Sequence, residues 1–449
     1  MSDHSILAHI TEKMSPLPKS VKRWVVAYSG GIDSTVLLHA LAECNRRSAQ
    51  PLVVVALHIN HQLSVDAAAW QQHCEQVATT LGVEFFTKSV AVQLAGKGAE
   101  AAAREARYAV FENFLQEDDA LLFGHHQQDQ AETLLLRLFR GAGVRGLMAM
   151  PESRAIGRGN LLRPLLTVTK ADIQSYAQQH QLQWVDDESN AQDDYDRNYL
   201  RNRIVPLLRT RWPALDAQLL KTSARMQQAN TLLNEVAAED LLALDAQAAR
   251  VGFSVDFKKL NQLSHVRKMN FLRYWCESVA YPLPDADQLA QIEQQFFSRS
   301  ALLSSACVSW ANRELRQFAG RLYLMPALSK FTAAELIVEW DCLESLPLGD
   351  AGLLQLVNTA ETNSGLVLKQ QAYQIRWRQG GERSTPSQRQ HSQTVKKLLQ
   401  EYGLETWLRD RVPLIYCGDD LVAVGDLWVN KGYETEDTEA SVLFRWGCV

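Results

Sequence analysis

The stretch Trp24-Val25-Val26-Ala27-Tyr28-Ser29-Gly30-Gly31-Ile32-Asp33-Ser34-Thr35-Val36-Leu37-Leu38 reads as a buried strand, a tight glycine turn and the opening of a helix. Its unbroken apolar, β-branched start suits a strand covered on both faces. Val36/Ala40 and Leu37/Leu41 recur at i, i+4 and mark the helical face pressed onto that strand. Between them, Gly30 and Gly31 let the backbone come close to a ligand, and Ser29 and Ser34 add hydroxyls. The free N–H groups of a helix start attract anions, so a phosphate is the expected guest. Asp33 alone would repel a phosphate, which points to a divalent cation that both bind. The plainer alternative uses the glycines for turn geometry and Asp33 as a first-turn acid. No G-x-x-x-x-G-K-[ST] and no G-x-G-x-x-G is present, so neither a P-loop lysine nor a dinucleotide turn is written here.

A chain of 449 residues should form two or three domains, each with its own core. Hydrophobic content of 46% and charged content of 22% are ordinary for a globular protein. No apolar run of about 18 residues occurs, so no membrane partner is expected. The start, Met1 to His9, lacks a basic n-region and an apolar h-region, which makes the cytoplasm the default location. Cys44, Cys74, Cys276, Cys307, Cys342, Cys417 and Cys448 are scattered without a C-x-x-C pair, so neither a zinc site nor a disulfide framework is indicated.

The net charge of -5 argues against indiscriminate nucleic-acid binding, yet three basic islands stand out. Arg137, Arg140, Arg145, Arg154, Arg158 and Arg163 face only Glu152. Arg197, Arg201, Arg203, Arg209 and Arg211 follow without an intervening acid, and Lys369, Arg376, Arg378, Arg383, Arg389, Lys396 and Lys397 are offset only by Glu382. Such islands on an acidic chain fit a shaped polyanion; solvated arginine faces are the alternative.

Leu52 to Ile59 reads as a second buried strand ending in His58-Ile59-Asn60-His61, at the carboxyl end where open parallel sheets hold ligands. Ala67 to Leu81 reads as a helix, Val83 to Val90 as a strand, and Glu100 to Phe114 as a helix with Arg104 and Arg107 on one face. A fourth strand, Ala120 to Phe123, leads into Gly124-His125-His126-Gln127-Gln128-Asp129-Gln130-Ala131-Glu132-Thr133. Asp129 and Glu132 at i, i+3 put two carboxylates on one helical face, a seat for a cationic substrate or a shared metal ion. A zinc site of His125, His126 and Asp129 lacks a soft fourth ligand. Alternating strands and helices imply an α/β domain with a parallel sheet, right-handed crossovers and helices on both faces.

Ser29-Gly-Gly-Ile-Asp-Ser34 after a strand resembles the pyrophosphate loop of the PP-loop ATP pyrophosphatases, which cleave ATP between its α and β phosphates and adenylate their substrate. Further blocks follow: His58-Ile-Asn-His61, Ala103-Arg-Glu-Ala-Arg-Tyr108, Gly124 to Thr133, Leu136-Arg-Leu-Phe-Arg-Gly-Ala-Gly143, Arg163-Pro-Leu-Leu166 and Arg197-Asn-Tyr-Leu-Arg-Asn202. Seven blocks in this order resemble the tRNA(Ile)-lysidine synthases. Gln128 departs from that pattern, standing where the family commonly has an acid, and so does Glu188, where Pro is usual.

That resemblance implies lysidine formation at the wobble cytidine of isoleucine tRNA with a CAU anticodon. ATP adenylates the oxygen on carbon 2 of the base, free lysine attacks that carbon, and AMP and PPi leave. It further implies ATP contacts from Ser29, Gly30, Gly31, Ile32, Asp33, Ser34, His58 and Gly124, and Mg²⁺ on Asp33 and Asp129. Lysine would sit on Asp129 and Glu132, with Asp33, Asp129, Glu132, His125 and Arg104 as catalytic candidates. Arg197, Arg201, Arg383, Lys396 and Lys397 are expected on tRNA.

Residues 1–212 are expected to form the catalytic domain. Ala214 to Leu244 reads as a long helix, Asp285 with Gln288 as a capping signal, and Arg313 to Leu324 as a hairpin around Ala319-Gly320. They define a mostly helical domain over 213–325. Residues 326–449, with Gly380-Gly-Glu-Arg383, a short basic helix at Thr394 to Glu401 and strands from Val412 onward, resemble the small α+β C-terminal domain of the longer lysidine synthases. Rival readings are a tRNA thiolase, for which Cys44 and Cys74 lie in predicted helices without a partner, an ammonia-using synthetase, and a non-catalytic RNA-binding protein. The sequence does not speak to oligomeric state.

Overall fold

The computed structural model describes residues 3–15, 20–60, 66–90, 99–186, 193, 195–298, 306–332, 337–342, 344–358, 365–367, 373–435 and 441–447. The chain folds into two compact units, Met1–Leu232 and Leu233–Val449.

The first unit runs α1 (Asp3–Met14), β1 (Arg23–Ala27), α2 (Ile32–Arg46), β2 (Val53–Asn60), α3 (Ala67–Leu81), β3 (Glu84–Ser89), α4 (Ala99–Phe114) and β4 (Asp119–Leu122). It continues with α5 (Gln127–Phe139), α6 (Val144–Leu147), β5 (Ser153–Ile156), β6 (Gly159–Leu162) and α7 (Lys170–Gln179). Then come α8 (Asp196–Tyr199), a π-helical turn (Leu200–Ile204), α9 (Val205–Arg211) and the start of the long α10 (Leu215–Ala243). The sheet order is β3-β2-β1-β4-β6-β5. All pairs are parallel except β5 on β6.

Strand periodicity sorts the core into two layers. Trp24, Val26, Val54, Ala56, Ala120 and Leu122 face α1, α2 and α7, while Val25, Val55, Leu57 and Leu121 face Phe111 and Leu115 of the α4 side. On α2, Val36, Leu37, Leu38, Ala40 and Leu41 are all fully buried. Each large side chain among them contributes about 1.5–3 kcal/mol by leaving water. This helix is therefore anchored along its length, and its N-terminus is held rigidly at the end of β1.

The chain builds outward from β1 through β2 to β3, then returns to place β4 on the other side of β1. This reversal opens a crevice between the carboxyl ends of β1 and β4, the ligand position of open α/β sheets. The glycine elbow and Gly124-His125-His126 are the two segments that leave those ends.

In the second unit, β7 (Gln247–Ala248), β8 (Phe253–Asp256), β9 (Cys307–Trp310), β10 (Arg313–Phe318) and β11 (Arg321–Pro326) form a sheet in the order β7-β8-β11-β10-β9. Against it pack α11 (Phe257–Gln262), α12 (His265–Ser278) and α13 (Ala286–Ile292) around Phe271, Trp275 and Phe296. The expected hairpin is present, with Phe318 opposite Arg321. Asp285 and Gln288 form a reciprocal capping box. The later residues form two five-stranded sheets and a two-stranded one, with the helix Val395–Glu401 buried through Val395, Leu398 and Leu399. No helix among the described residues is long and apolar enough to cross a membrane.

Candidate functional site

Gly30 has φ +85, in the left-handed region, and a Cβ on it would come within 2.8 Å of the Cys74 Sγ. Gly31 is the N-cap of α2 with extended backbone, so the chain turns from strand to helix in two residues. The turn is tied by its own hydroxyls. The Ser34 Oγ donates to the Gly31 carbonyl at 3.0 Å and lies 3.1 Å from the Ser29 Oγ, which accepts from the Gly31 N–H at 3.3 Å. Thr35 adds bonds to the carbonyls of Gly30 and Gly31. The carbonyls are engaged by hydroxyls, and the first N–H groups of a helix lack intrahelical acceptors, the arrangement that receives anions. Val185 N–H donates to the Gly30 carbonyl at 2.9 Å, fixing the elbow from the far side.

Gly124 crosses directly over this helix start. A Cβ there would lie 2.9 Å from the Asp33 carbonyl carbon and oxygen and 3.0 Å from the Ser34 nitrogen. Backbone atoms cannot yield as a flexible side chain does, so Gly124→Ala is expected to force the two strand ends apart. A loss of about 1–3 kcal/mol in urea unfolding together with weaker ATP binding is the expected result. Unchanged values for both would show that the contact relaxes freely.

His126 caps α5: its Nδ1 accepts from the Gln128 N–H at 3.2 Å, and Asp129 Oδ2 accepts from the His126 N–H at 3.0 Å. An accepting Nδ1 leaves the ring proton on Nε2. That atom lies 3.6 Å from Asp33 Oδ1 and 3.4 Å from Asp129 Oδ2, so His126 bridges the elbow and the acidic helix. Asp33 Oδ1 also accepts from the Lys170 Nζ at 2.5 Å. Burial pushes the Asp33 carboxyl up, but His126 and Lys170 outweigh it and hold the group below its ordinary value.

Glu132 is fully buried and Asp129 nearly so. Burial pushes the Asp129 carboxyl up, but His126, Arg197, His125 and Arg201 override it and hold the group far below the ordinary carboxylate range. The two arginines approach from α8 and the π-helical turn. Arg197 reaches Asp129 at 3.0 Å and Glu132 at 3.1 Å, and Arg201 reaches them at 2.9 Å and 2.7 Å. Their i, i+4 spacing aims both at one side, and a buried carboxylate pair demands charge partners. The sequence places Arg197 and Arg201 on tRNA as an expectation; in the fold their guanidinium groups are turned inward onto the carboxylate pair. Gln128 is turned away from the elbow. With its amide oxygen toward α9, it accepts from the Arg209 nitrogens at 2.8 and 2.7 Å.

His58 is buried at the end of β2, its Nδ1 donating to the Tyr28 carbonyl at 3.0 Å, one residue before the elbow. Burial pushes its pKa down. His125 accepts at Nδ1 from the Arg163 Nε at 3.2 Å and stacks on Phe123. Burial, with Arg163, Arg197 and Arg104 outweighing Asp129, pushes His125 down to about 4. The unfolded value is about 6.5, so between these pH values the unfolded chain binds the extra proton. Stability should therefore fall as pH drops from about 6.5 to about 4. An imidazole that titrated near 6.5 by NMR in the folded protein would contradict this.

Of the residues singled out in the sequence, the elbow, His58, Gly124, His125, Asp129, Glu132, Arg197 and Arg201 gather around the crevice. Arg104 is exposed, with its guanidinium 4.9 Å from the Tyr108 ring centroid. Arg383, Lys396 and Lys397 are exposed residues of the second unit. His61 and Glu188 lie outside the described residues. Sequence reading gave His126 only a zinc role and missed Lys170. His126 could have been noticed as the residue preceding a helix with an acid at N3. Lys170 starts α7 after the Thr169 cap, and nothing local ties it to Asp33, 137 positions away.

The PP-loop domain family matches residues 3–208, the TilS substrate binding domain 256–323, and the TilS substrate C-terminal domain 373–446. The tRNA(Ile)-lysidine synthase of Coxiella burnetii is 40% identical over 94% of this chain and 92% of its own length. That of Pseudomonas syringae pv. tomato is 39% identical over 94% and 93%. Among solved structures, the U34-tRNA thiolase NcsA from Methanococcus maripaludis matches with a TM-score of 0.42 and 14% identity, over 50% of this chain and 79% of that one. On the strength of near-full-length relatives, the chain belongs to the tRNA(Ile)-lysidine synthase family.

Proposed function

We infer that this protein is the ATP-dependent ligase that joins lysine to carbon 2 of the wobble cytidine in isoleucine tRNA with a CAU anticodon. The single observation that carries this is His126, whose Nε2 stands within 3.6 Å of both the elbow's Asp33 and the acidic helix's Asp129. A nucleotide held by the elbow and an amine held by the acidic pair would then meet at one crevice. Ser29 to Ser34 would hold the triphosphate on backbone amides and hydroxyls, with Gly124 keeping the crevice wall thin and His58 lining the β2 side.

Three carboxylates, Asp33, Asp129 and Glu132, are in contact with three cations, Lys170, Arg197 and Arg201. The site is therefore close to neutral, and an incoming triphosphate brings charge that nothing fixed there cancels. The polar contacts of Asp33 fall on Oδ1. A carboxylate with one oxygen so engaged, beside a phosphate cradle, suits Mg²⁺, which binds through one or two carboxylates plus substrate phosphates. Asp33 would hold it, with Asp129 across His126 as the second candidate; the ion would supply neutralisation of charge on the departing pyrophosphate.

Lysine meets a pair already occupied by guanidinium groups. In the proposal, the arginines orient both carboxylates, and the substrate ammonium exchanges with one of them. Asp129 is the exchanging partner, because it keeps slight exposure whereas Glu132 has none. Asp129→Asn should then raise the KM for lysine by about tenfold or more while moving the KM for ATP far less, since one charge-assisted contact is worth about 1.5–3 kcal/mol. Equal shifts in both would remove the ammonium seat from the proposal. Three working parts, 1–212 for catalysis, 213–325 and 326–449 for tRNA, complete it, with Arg383, Lys396 and Lys397 as RNA contacts of the last. The direct test incubates the protein with ATP, labelled lysine and bulk tRNA, then digests the RNA. A lysine-bearing cytidine is expected; label in no nucleoside would overturn the reading.

A further inference from the structure

A second cluster in the first unit adjoins the site just described and shares His125 with it. The Cζ atoms of Arg104 on α4 and Arg154 on β5 lie 4.9 and 5.1 Å from the centroid of the Tyr108 ring. Arg104 Nη2 also donates to the Tyr108 hydroxyl at 3.4 Å. Tyr108 packs on Phe123, centroids 6.2 Å apart, and Phe123 stacks on His125 at 5.2 Å. Beneath them Arg163, only 5% exposed, spends Nε on His125 and Nη1 on the Pro151 carbonyl. A layer of aromatic rings thus runs from the residue next to His126 out to a pair of exposed guanidinium groups.

Among the described residues, Arg104, Arg154 and Arg163 have no carboxylate within ion-pair distance. Burial, together with the charges of Arg154 and Arg104, pushes the Arg163 guanidinium down to about 10. Among the described residues, positive charge is therefore gathered here without a counter-charge. Arg104 spends Nη2 on the Tyr108 hydroxyl and Arg154 spends Nη1 on the Ala155 carbonyl at 3.3 Å, which leaves the other N–H groups of each for an acceptor such as a phosphate oxygen. The triphosphate has its own cradle at the elbow. Exposed arginines on an aromatic platform match an RNA strand, which offers phosphodiesters and splayed bases.

We propose that Arg154 and Arg104, mounted on Tyr108, grip a backbone phosphodiester of the RNA strand whose cytidine enters the crevice. The proposal rests on the tRNA reading above and adds to it a positioning contact from the β5–β6 hairpin, whose β6 pairs with β4 and so holds Arg154 in place. Arg154 is exposed, so its replacement should leave the fold intact.

The test measures affinity for isoleucine tRNA by fluorescence anisotropy, for wild type and Arg154→Ala, between 50 and 200 mM salt, roughly the range over which phosphate contacts are lost. The variant should bind about 3- to 10-fold more weakly, and its slope of log K against log salt should be shallower by about 0.7, one phosphate's share on a single strand. Arg154→Lys, which keeps charge but loses the fork, should fall between. Unchanged affinity and slope would overturn the proposal, as would a selective rise in the ATP KM, which would assign the cluster to the nucleotide. Wild-type lysine incorporation, run beside it, is independent: its failure would remove the ligase reading while leaving the RNA contact measured.

Discussion

Replacing Asp33 with alanine should cut AMP formation by at least about 10²- to 10³-fold while tRNA binding is retained. The magnitude is that of removing one preorganised electrostatic group from a reacting centre. The physical reason lies in what the carboxylate does where it stands. It occupies the second position of α2, among amides that attract phosphate, and it accepts from Lys170 at 2.5 Å. Its removal leaves Lys170 and the His126 Nε2 facing the phosphates, so ground-state ATP binding should hold steady or tighten. The loss should therefore appear in turnover, read as AMP release or PPi exchange, and not in nucleotide affinity. Asp33 is about one-third exposed, and its ion pair is worth at most about 1 kcal/mol after solvent screening, so the melting temperature should barely move. Full turnover in Asp33→Ala would show that the carboxylate has no role in charge neutralisation at the elbow.

Glu132→Ala should produce the largest stability loss of any single change in the site. The carboxylate is fully buried and accepts from Arg197 Nε at 3.1 Å and from Arg201 Nε and Nη2 at 2.7 and 2.8 Å. Its removal leaves two guanidinium groups sharing Asp129. Breaking a buried charge network by deleting one partner costs about 3–5 kcal/mol. For a unit of this size that corresponds to a fall in Tm of roughly 6–20 °C. Glu132→Gln keeps the shape and one acceptor oxygen, so its loss should be smaller. Calorimetry without substrates separates this from any effect on lysine: an Ala variant that melts within about 2 °C of wild type would mean that the network is not a structural one.

Local signals were legible wherever packing follows a simple period. The helix over Ala67–Leu81 is where its pattern placed it, the elbow turns at Gly30 and Gly31, and the Asp285 capping box closes as the spacing requires. Residues 213–325 read as mostly helical, and the helices are there. The sheet beside them recruits β7, β8 and β9, whose short segments carry too few residues for alternation to register. The β5–β6 hairpin was missed for a similar reason, since a four-residue strand holds only two turns of a period-2 pattern, whereas the ten-residue α7 carries a Thr169 cap that the reading passed over.

The sequence by itself determined the chemistry that can occur here. A glycine elbow with Asp33, an acid pair on one helical face and ordered family blocks follow from residue type and short-range spacing, which the chain keeps whatever its tertiary arrangement. Only the folded structure decided the pairings. That Lys170 answers Asp33, that Arg197 and Arg201 close onto Glu132, and that Arg154 joins Arg104 over one tyrosine depend on segments 50 to 137 residues apart. Such distances are set by the sheet order and by the need of buried charges for partners, and no local period encodes either.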